Sequence, residues 1–309
     1  MTSRQEVVGI VCHDAGGAEI ISSYILQNNL TVNYYLEGPA IKIFERKLKG
    51  VECKSLSDVV NDSDWLLCGT SWQSDIEWRA LQEAKSSRKR SISFLDHWVN
   101  YLERFTFNGR TIFPDEIWVG DTYAKSIANK IFPDTIIKLV NNPYLSDVCE
   151  EFQKIPPIDR VRVPGIRVLF VSDNLGEASA FQFGYEKHFG YTDDDVLNYF
   201  IKNKNVIKDS IQKIIIRPHP SESPNKYNWA AGRYEELVEI GGGLSLLEEI
   251  ANSDIVIGGD SMAMVVALYC GKRVINCIPP NGNQSILQFD KIEKIQQLIV
   301  NNKTLHQDN

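Results

Sequence analysis

The feature that most constrains this chain is an alternation: short runs of Val, Ile and Leu separated by longer stretches with helical spacing. A strand that is apolar on both faces needs cover on both sides, and helices between successive strands supply it, which predicts a parallel sheet. In the first half the strand candidates are Val7–Cys12, Thr31–Leu36, 65–69, 91–95, Glu116–Val119 and Ile136–Leu139. Helix patterns lie between them at 18–27, 41–47, 73–87 and Thr122–Ile131. Over 143–166 the pattern pauses, with Pro143, Pro156, Pro157 and Pro164 among charged residues, which reads as a linker.

It then restarts: strands at 167–171, 213–217, 254–257 and 273–278, helices at 193–208, 244–251 and 261–269, and a helical tail over 286–300. The expectation is an α/β protein of two Rossmann-like, doubly wound parallel-sheet domains facing a cleft. Their expected bounds are 1–155 and 156–289, with a C-terminal helix at about 290–309 packing back on the first. In such sheets ligands bind outside the carboxyl ends of the strands, so the residues just after each strand carry the functional information.

Composition excludes several alternatives. With 33 Lys+Arg against 40 Asp+Glu the net charge is -7, which argues against a nucleic-acid-coating surface. No run approaches the ~18 apolar residues of a membrane span. The apolar start ends at His13 and Asp14 and reads as a strand rather than a leader. Six cysteines without a CxxC pair, three of them inside strand runs, read as reduced thiols of a cytoplasmic protein. No cluster has metal-ligand spacing, since Asp62 and Asp64 precede a strand, and the GxGxxG fingerprint is missing. Neither a metal nor a nicotinamide cofactor is expected.

The first strand runs into His13-Asp14-Ala15-Gly16-Gly17. Gly16 and Gly17 allow close backbone approach to a ligand at a helix start, and His13 and Asp14 pair a base with a partner. The bland alternative is a tight turn capped by Asp14. The third strand leads into Gly69-Thr70-Ser71-Trp72, a turn of small donors. The fourth ends in Asp96-His97-Trp98, followed by Tyr101 and Phe105. Asp96 and His97 suit sugar hydroxyls, and the aromatics suit either stacking on a ligand or packing on the next helix.

In the second half Ser172-Asp173-Asn174 follows a strand, and Arg217-Pro218-His219-Pro220 ends another. Neither proline can extend a ladder, so His219 and Arg217 are held at the tip, suited to a phosphate. Gly259-Asp260-Ser261 opens a helix: Ser261 and the exposed N–H groups form an anion cradle, Ser261 or Asp260 serving equally as a cap. His188 and His306 have no partner pattern, and 193–195 reads as an acidic helix start.

Arg217-Pro218-His219-Pro220 with Gly259-Asp260-Ser261 some forty residues on resembles the HP and serine motifs of bacterial sialyltransferases and polysialyltransferases, GT-B glycosyltransferases, and those of capsule Kdo transferases. The resemblance implies a GT-B fold and a nucleotide-sugar donor, with a CMP-linked nonulosonic or Kdo-type acid preferred. His219 would contact the donor phosphate, and Ser261 the phosphate or sugar carboxylate. Where sialyltransferases carry an acidic triplet in the first domain, this chain has His13-Asp14-Ala15-Gly16-Gly17.

The expected function is a metal-independent inverting glycosyltransferase in bacterial surface polysaccharide or glycoconjugate synthesis, cytoplasmic or at the inner membrane face. Its catalytic base is His13, Asp14, Asp96 or His97. Its acceptor is a glycan or lipid-linked glycan, with peripheral membrane contact through Trp98, Tyr101 and Phe105 as one option. A nucleotide-sugar hydrolase, a 2-epimerase of the same fold, and a non-catalytic nucleotide- or sugar-binding protein are the alternatives.

Overall fold

The structure, a computed structural model, describes residues 4–71, 74–156 and 164–305, the last three as backbone only. Trp72, Pro157 and His306 lie outside the described residues. The chain divides into two compact units, Met1–Asp147 and Val148–Asn309.

The first unit contains β1 (Val7–Cys12), α1 (Ala15–Asn28), β2 (Thr31–Leu36), α2 (Pro39–Lys47), α3 (Leu56–Asn61), β3 (Trp65–Cys68), α4 (Ile76–Ser86) and β4 (Arg90–Leu95). A short hairpin, β5 (Thr106–Phe107) with β6 (Arg110–Thr111), precedes β7 (Glu116–Val119), α5 (Thr122–Ile131) and β8 (Ile136–Leu139). Six strands form one parallel sheet in the order β2-β1-β3-β4-β7-β8. β1 is central because it is apolar on both faces: Ile10, Val11 and Cys12 are fully buried. Gly9 lets its neighbour in, since a Cβ there would lie 2.4 Å from Leu66.

The expected linker begins with a helix instead, α6 (Pro143–Gln153), which spans the division between the units. Proline at a first helical position loses no intrahelical bond, and the Asn142 side chain accepts from the N–H groups of Tyr144 and Leu145 at 3.1 and 3.3 Å. Pro143 thus starts a capped helix rather than breaking one.

The second unit continues with β9 (Ile166–Val171), α7 (Leu175–Phe183), α8 (Asp193–Asn203), β10 (Ile211–Arg217), α9 (Asn228–Arg233), β11 (Val238–Ile240) and α10 (Leu246–Ala251). It ends with β12 (Ile255–Gly258), α11 (Met262–Tyr269), β13 (Arg273–Asn276), β14 (Ile292–Lys294) and α12 (Ile295–Leu305). Its parallel sheet runs β11-β10-β9-β12-β13-β14. Capping boxes, Thr192 with Asp195 and Ser245 with Glu248, start α8 and α10. Part of the tail read as helix is strand, because Ile292–Lys294 pairs with β13. α12 then packs Leu298 and Ile299 on the core of its own unit.

Both Rossmann-like domains expected of a GT-B chain are present. Counting only sheet strands, the first sheet has order 2-1-3-4-5-6 and the second 3-2-1-4-5-6. Strand order reverses between β1 and β3 in one and between β9 and β12 in the other, and these switch points are where open α/β sheets bind ligands.

Candidate functional site

At the switch point of the first domain the loops after β1 and β3 meet. His13 Nδ1 lies 2.7 Å from Asp14 Oδ1, and the Ser71 hydroxyl donates to the same oxygen at 2.9 Å. Ser71 Oγ accepts in turn from the Ser74 N–H at 3.1 Å. A carboxylate only accepts, so Nδ1 carries the hydrogen, and in the neutral ring Nε2 presents its lone pair. Asp14 sits at the N-cap position of α1 but its side chain makes no capping bond. It is spent on the histidine instead.

Gly38, at φ 55° before α2, keeps Nε2 clear: a Cβ there would stand 2.6 Å from it. Beneath the pair, Glu77 in the first turn of α4 accepts the His13 backbone N–H at 2.8 Å through Oε1, while its buried Oε2 has no partner. Burial raises the Glu77 pKa to about 8, with the charges of Asp14 and Asp96 adding to the rise. Gly69 closes the floor, as a Cβ would come within 2.8 Å of Cys12 Sγ.

Asp96 and His97 are used differently. Asp96 Oδ1 is held by Arg104 Nη1 at 2.8 Å in a nearly buried ion pair, and the same nitrogen donates to the carbonyl and hydroxyl of Thr70. Its other oxygen lies against Gly16, where a Cβ would be 2.1 Å away. The His97 ring is half-buried, with a buried Nδ1 that has no partner, and burial lowers its pKa. Trp98, Tyr101 and Phe105 are core residues, at 8, 2 and 1% exposure. Trp98 donates to Asp121, and Tyr101 stacks on Phe132. Of the two readings of these aromatics, packing is the one realised.

In the second domain the loops after β9 and β12 are joined by Asp173, which accepts the Asp260 N–H at 2.8 Å. Burial raises the Asp173 pKa to about 7, and Asp193 nearby adds to it. Asp193 accepts the Asp173 N–H at 2.9 Å and pairs with Lys226 at 3.1 Å, so this residue of the acidic helix start is a buried partner rather than a solvated charge. Ser261 caps α11, its Oγ accepting from Ala263 N–H.

His219 stands exposed past β10, its backbone N–H held at 2.8 Å by Glu222. Glu222 is buried and accepts from Ser172 and Lys226 as well. The His219 Nδ1 receives the Ser221 N–H at 3.3 Å and faces the Ser221 hydroxyl at 2.7 Å, while Asn174 donates to that hydroxyl at 2.8 Å. Ser221 Oγ therefore donates onward, Nδ1 accepts, and the hydrogen sits on Nε2. Arg217 does not join His219: its Nη1 bonds the Leu244 carbonyl and Glu249 at 2.8 Å. Pro220 is exposed in the turn.

His13, Asp14 and Gly17 gather at the first switch point with Asp96 and Gly16 beside them; Ser172, Asp173, Gly259, Asp260 and Ser261 gather at the second. Glu77 and Gly38 escaped the sequence reading because each acts from a neighbouring element, and Arg104 and Glu222 because their partners follow from the fold of the loop, with no spacing to mark them. Among the described residues no group of three or more His, Cys, Asp or Glu is placed to hold a metal ion. No described helix is long and apolar enough to cross a membrane.

No protein-family model matches the chain, and no curated protein matches it by sequence. Among solved structures it is similar to E. coli heptosyltransferase WaaC with ADP-2-deoxy-2-fluoro heptose, at 10% identity and a TM-score of 0.44, covering 98% of this chain and 100% of that one. It is also similar to a UGT of Glycyrrhiza uralensis complexed with glycyrrhetinic acid 3-O-monoglucuronide, at 7% identity and a TM-score of 0.46, covering 95% and 86%. A third is the KpsC β-Kdo 2,4 transferase of Thermosulfurimonas dismutans, at 12% identity and a TM-score of 0.36, covering 94% and 84%. At these scores none of the likenesses carries an activity over to this chain.

Proposed function

We propose that this protein is a GT-B glycosyltransferase that uses a nucleotide-activated sugar, with inversion and without a metal. The observation that carries the reading is the Ser71–Asp14–His13 chain at the first switch point, which leaves His13 Nε2 as an oriented acceptor for a proton. The acceptor hydroxyl loses its proton to Nε2 as its oxygen bonds the anomeric carbon. The bond from that carbon to the donor phosphate breaks, and the electron pair leaves with the phosphate. In the second domain His219, with its hydrogen on Nε2, and the helix start of α11 are the candidate groups for binding a donor phosphate. Asp14 orients His13, and the Arg104 pair and partial burial withdraw Asp96 and His97 from the role of base.

The motif resemblance favours a CMP-linked nonulosonic or Kdo-type acid as donor and a glycan or lipid-linked acceptor in surface polysaccharide assembly. Melting temperatures with CMP, CDP, UDP, GDP and ADP, each with Mg²⁺ or EDTA, test it. CMP at ~100 times its Kd stabilises the fold by ~2.7 kcal/mol. The expected shift is indifferent to Mg²⁺ and is lost in His219→Ala. A shift with UDP or GDP alone replaces the donor, and no shift with any nucleotide removes the transferase reading.

A further inference from the structure

The carboxyl ends of β13 and β14 border a recess that the reaction above does not use. It is a cavity of about 240 Å³ lined by Asn276, Ser285, Lys294, Gln296 and the loop from Ile278 to Gln284. That is several times the ~30 Å³ share of one water in the liquid, so it has room for a group of several atoms. Asn276 and Lys294 are the last residues of neighbouring parallel strands and are register partners, so their side chains leave the sheet on the same face.

The walls are fixed by hydrogen bonds. Asn276 donates to the Gly259 carbonyl and accepts the Ile278 N–H at 3.1 Å. Ser285 and the Ile286 N–H both donate to Asp260 Oδ1, which fastens the loop to the turn after β12. Gln296 donates to the Ile278 carbonyl at 2.9 Å, and the Asn283 N–H bonds Phe189 at 3.0 Å. The recess is therefore preformed and shares Asn276 and Ser285 with the surroundings of the second switch point.

Its charge is opposite to that of its neighbour. The switch-point turn is dominated by Asp173 and Asp260, both buried carboxyls whose pKa values burial raises. No carboxylate lines the recess, and Lys294 is its single ionisable side chain, half-buried and in no ion pair among the described residues. Carboxamides of Asn283 and Gln284 supply further donors at the rim. An oxyanion placed in the recess meets an ammonium group and neutral amides.

We infer that this recess is a subsite for an oxyanion, a phosphate or a sugar carboxylate, held by Lys294. The inference deepens the proposed donor site and relies on it only for the identity of the ligand, so the test reads binding without turnover. Amide resonances of deuterated ¹⁵N-labelled protein are followed during titration with inorganic phosphate, with glucuronate, and with glucose as the uncharged control.

The expected result is a saturable shift confined to residues 276–286 and 294–296, absent with glucose. Affinity should fall about tenfold in Lys294→Met, the equivalent of one charge-assisted hydrogen bond, and be retained in Lys294→Arg. Phosphate binding alone assigns a phosphate subsite, glucuronate binding alone a sugar-acid subsite, and both a site that reads charge. Three results overturn the inference: no saturable shift with either anion, equal binding of glucose, or an affinity unchanged in Lys294→Met. Equal melting temperatures for the variants and the parent separate lost binding from lost fold. Should one of these three results overturn the inference, CMP stabilisation of the parent protein would leave the transferase reading standing.

Discussion

At the end of β1 the buried Glu77 accepts the backbone N–H of His13, and past the end of β10 the buried Glu222 accepts that of His219, each at 2.8 Å. From there the two domains diverge. The His13 Nδ1 faces a carboxylate and so donates; the His219 Nδ1 faces the N–H and hydroxyl of Ser221 and so accepts. One ring presents a lone pair at Nε2, the other a hydrogen. A shared means of fixing a histidine backbone thus ends, through one neighbouring side chain each, in opposite hydrogen-bonding faces in the two domains.

The largest effect should come from spoiling the first tautomer. His13→Ala removes the base and should lower kcat by about 10²–10⁴-fold. Asp14→Asn is sharper, because an amide at that place can donate to Nδ1 and turn Nε2 into a donor, making the His13 ring resemble that of His219. Its kcat should fall nearly as far while the melting temperature holds. If kcat in Asp14→Asn stays within about threefold of the parent, the contrast between the two rings has no catalytic meaning.

Next in size is the ion pair under the first site. Arg104 and Asp96 have side chains only 6 and 9% exposed, and Arg104 alone neutralises that carboxylate. In the second domain Lys226 is shared between Asp193 and Glu222. Removing one partner of a buried pair strands the other charge, so Arg104→Met should destabilise the fold by about 3–5 kcal/mol. Adding Asp96→Asn should recover much of it. Denaturant midpoints of the single and double variants decide; an additive double variant would show that the pair is solvated.

The two glutamates then differ in what happens as pH rises. Glu222 is saturated by Ser172, Lys226 and the His219 N–H, whereas Glu77 keeps an unpartnered oxygen and a pKa near 8. The folded state therefore binds the Glu77 proton more tightly than the unfolded chain, whose value is near 4.5. Stability from this group is complete below the unfolded value and falls as pH rises towards the folded one. Asp173, raised from 3.8 to about 7, acts in the same direction. Glu77→Gln should flatten its part of the slope and gain on the parent between pH 5 and 8, by an amount on the order of 1–3 kcal/mol. Glu222→Gln should lose stability across that range through its ion pair with Lys226. Parallel slopes for Glu77→Gln and the parent would mean that Glu77 is ionised throughout.

These contrasts also mark what the sequence could disclose. Val7–Cys12, Thr31–Leu36 and Ile136–Leu139 were legible to the residue, because runs rich in β-branched and aromatic residues between helical patterns admit few other folds. His13, Asp14, Asp173 and Ser261 were legible as strand-end polar residues, since topology alone puts such positions at a sheet's ligand edge. The tautomers were not, because which ring nitrogen carries the hydrogen depends on how Asp14 and Ser221 turn towards the ring, and Ser71 and Asn174, which fix those two side chains, arrive from other loops. Arg217 misled for the same reason: its place beside His219 in sequence says nothing of Glu249, which lies thirty-two residues on and takes its guanidinium. Short elements such as β11 and β14 carried too few residues for a period, and tertiary pairing decided them.

The smallest effect separates capping from binding at α11. Ser261 accepts the Ala263 N–H and also hydrogen-bonds the Asp173 carboxylate, so a loss of function in Ser261→Ala has two readings. Ser261→Ala should cost ~1 kcal/mol through the lost cap. Asparagine caps a helix as well as serine does, so Ser261→Asn should restore the melting temperature. Nucleotide affinity is the discriminating readout. If the serine hydroxyl holds the donor phosphate, Ser261→Asn binds CMP more weakly at unchanged stability. His13→Ala, by contrast, should leave CMP affinity intact if the first domain's ring acts on the acceptor as proposed. Full recovery of CMP affinity in Ser261→Asn would reduce Ser261 to a cap and leave His219 as the phosphate-side donor.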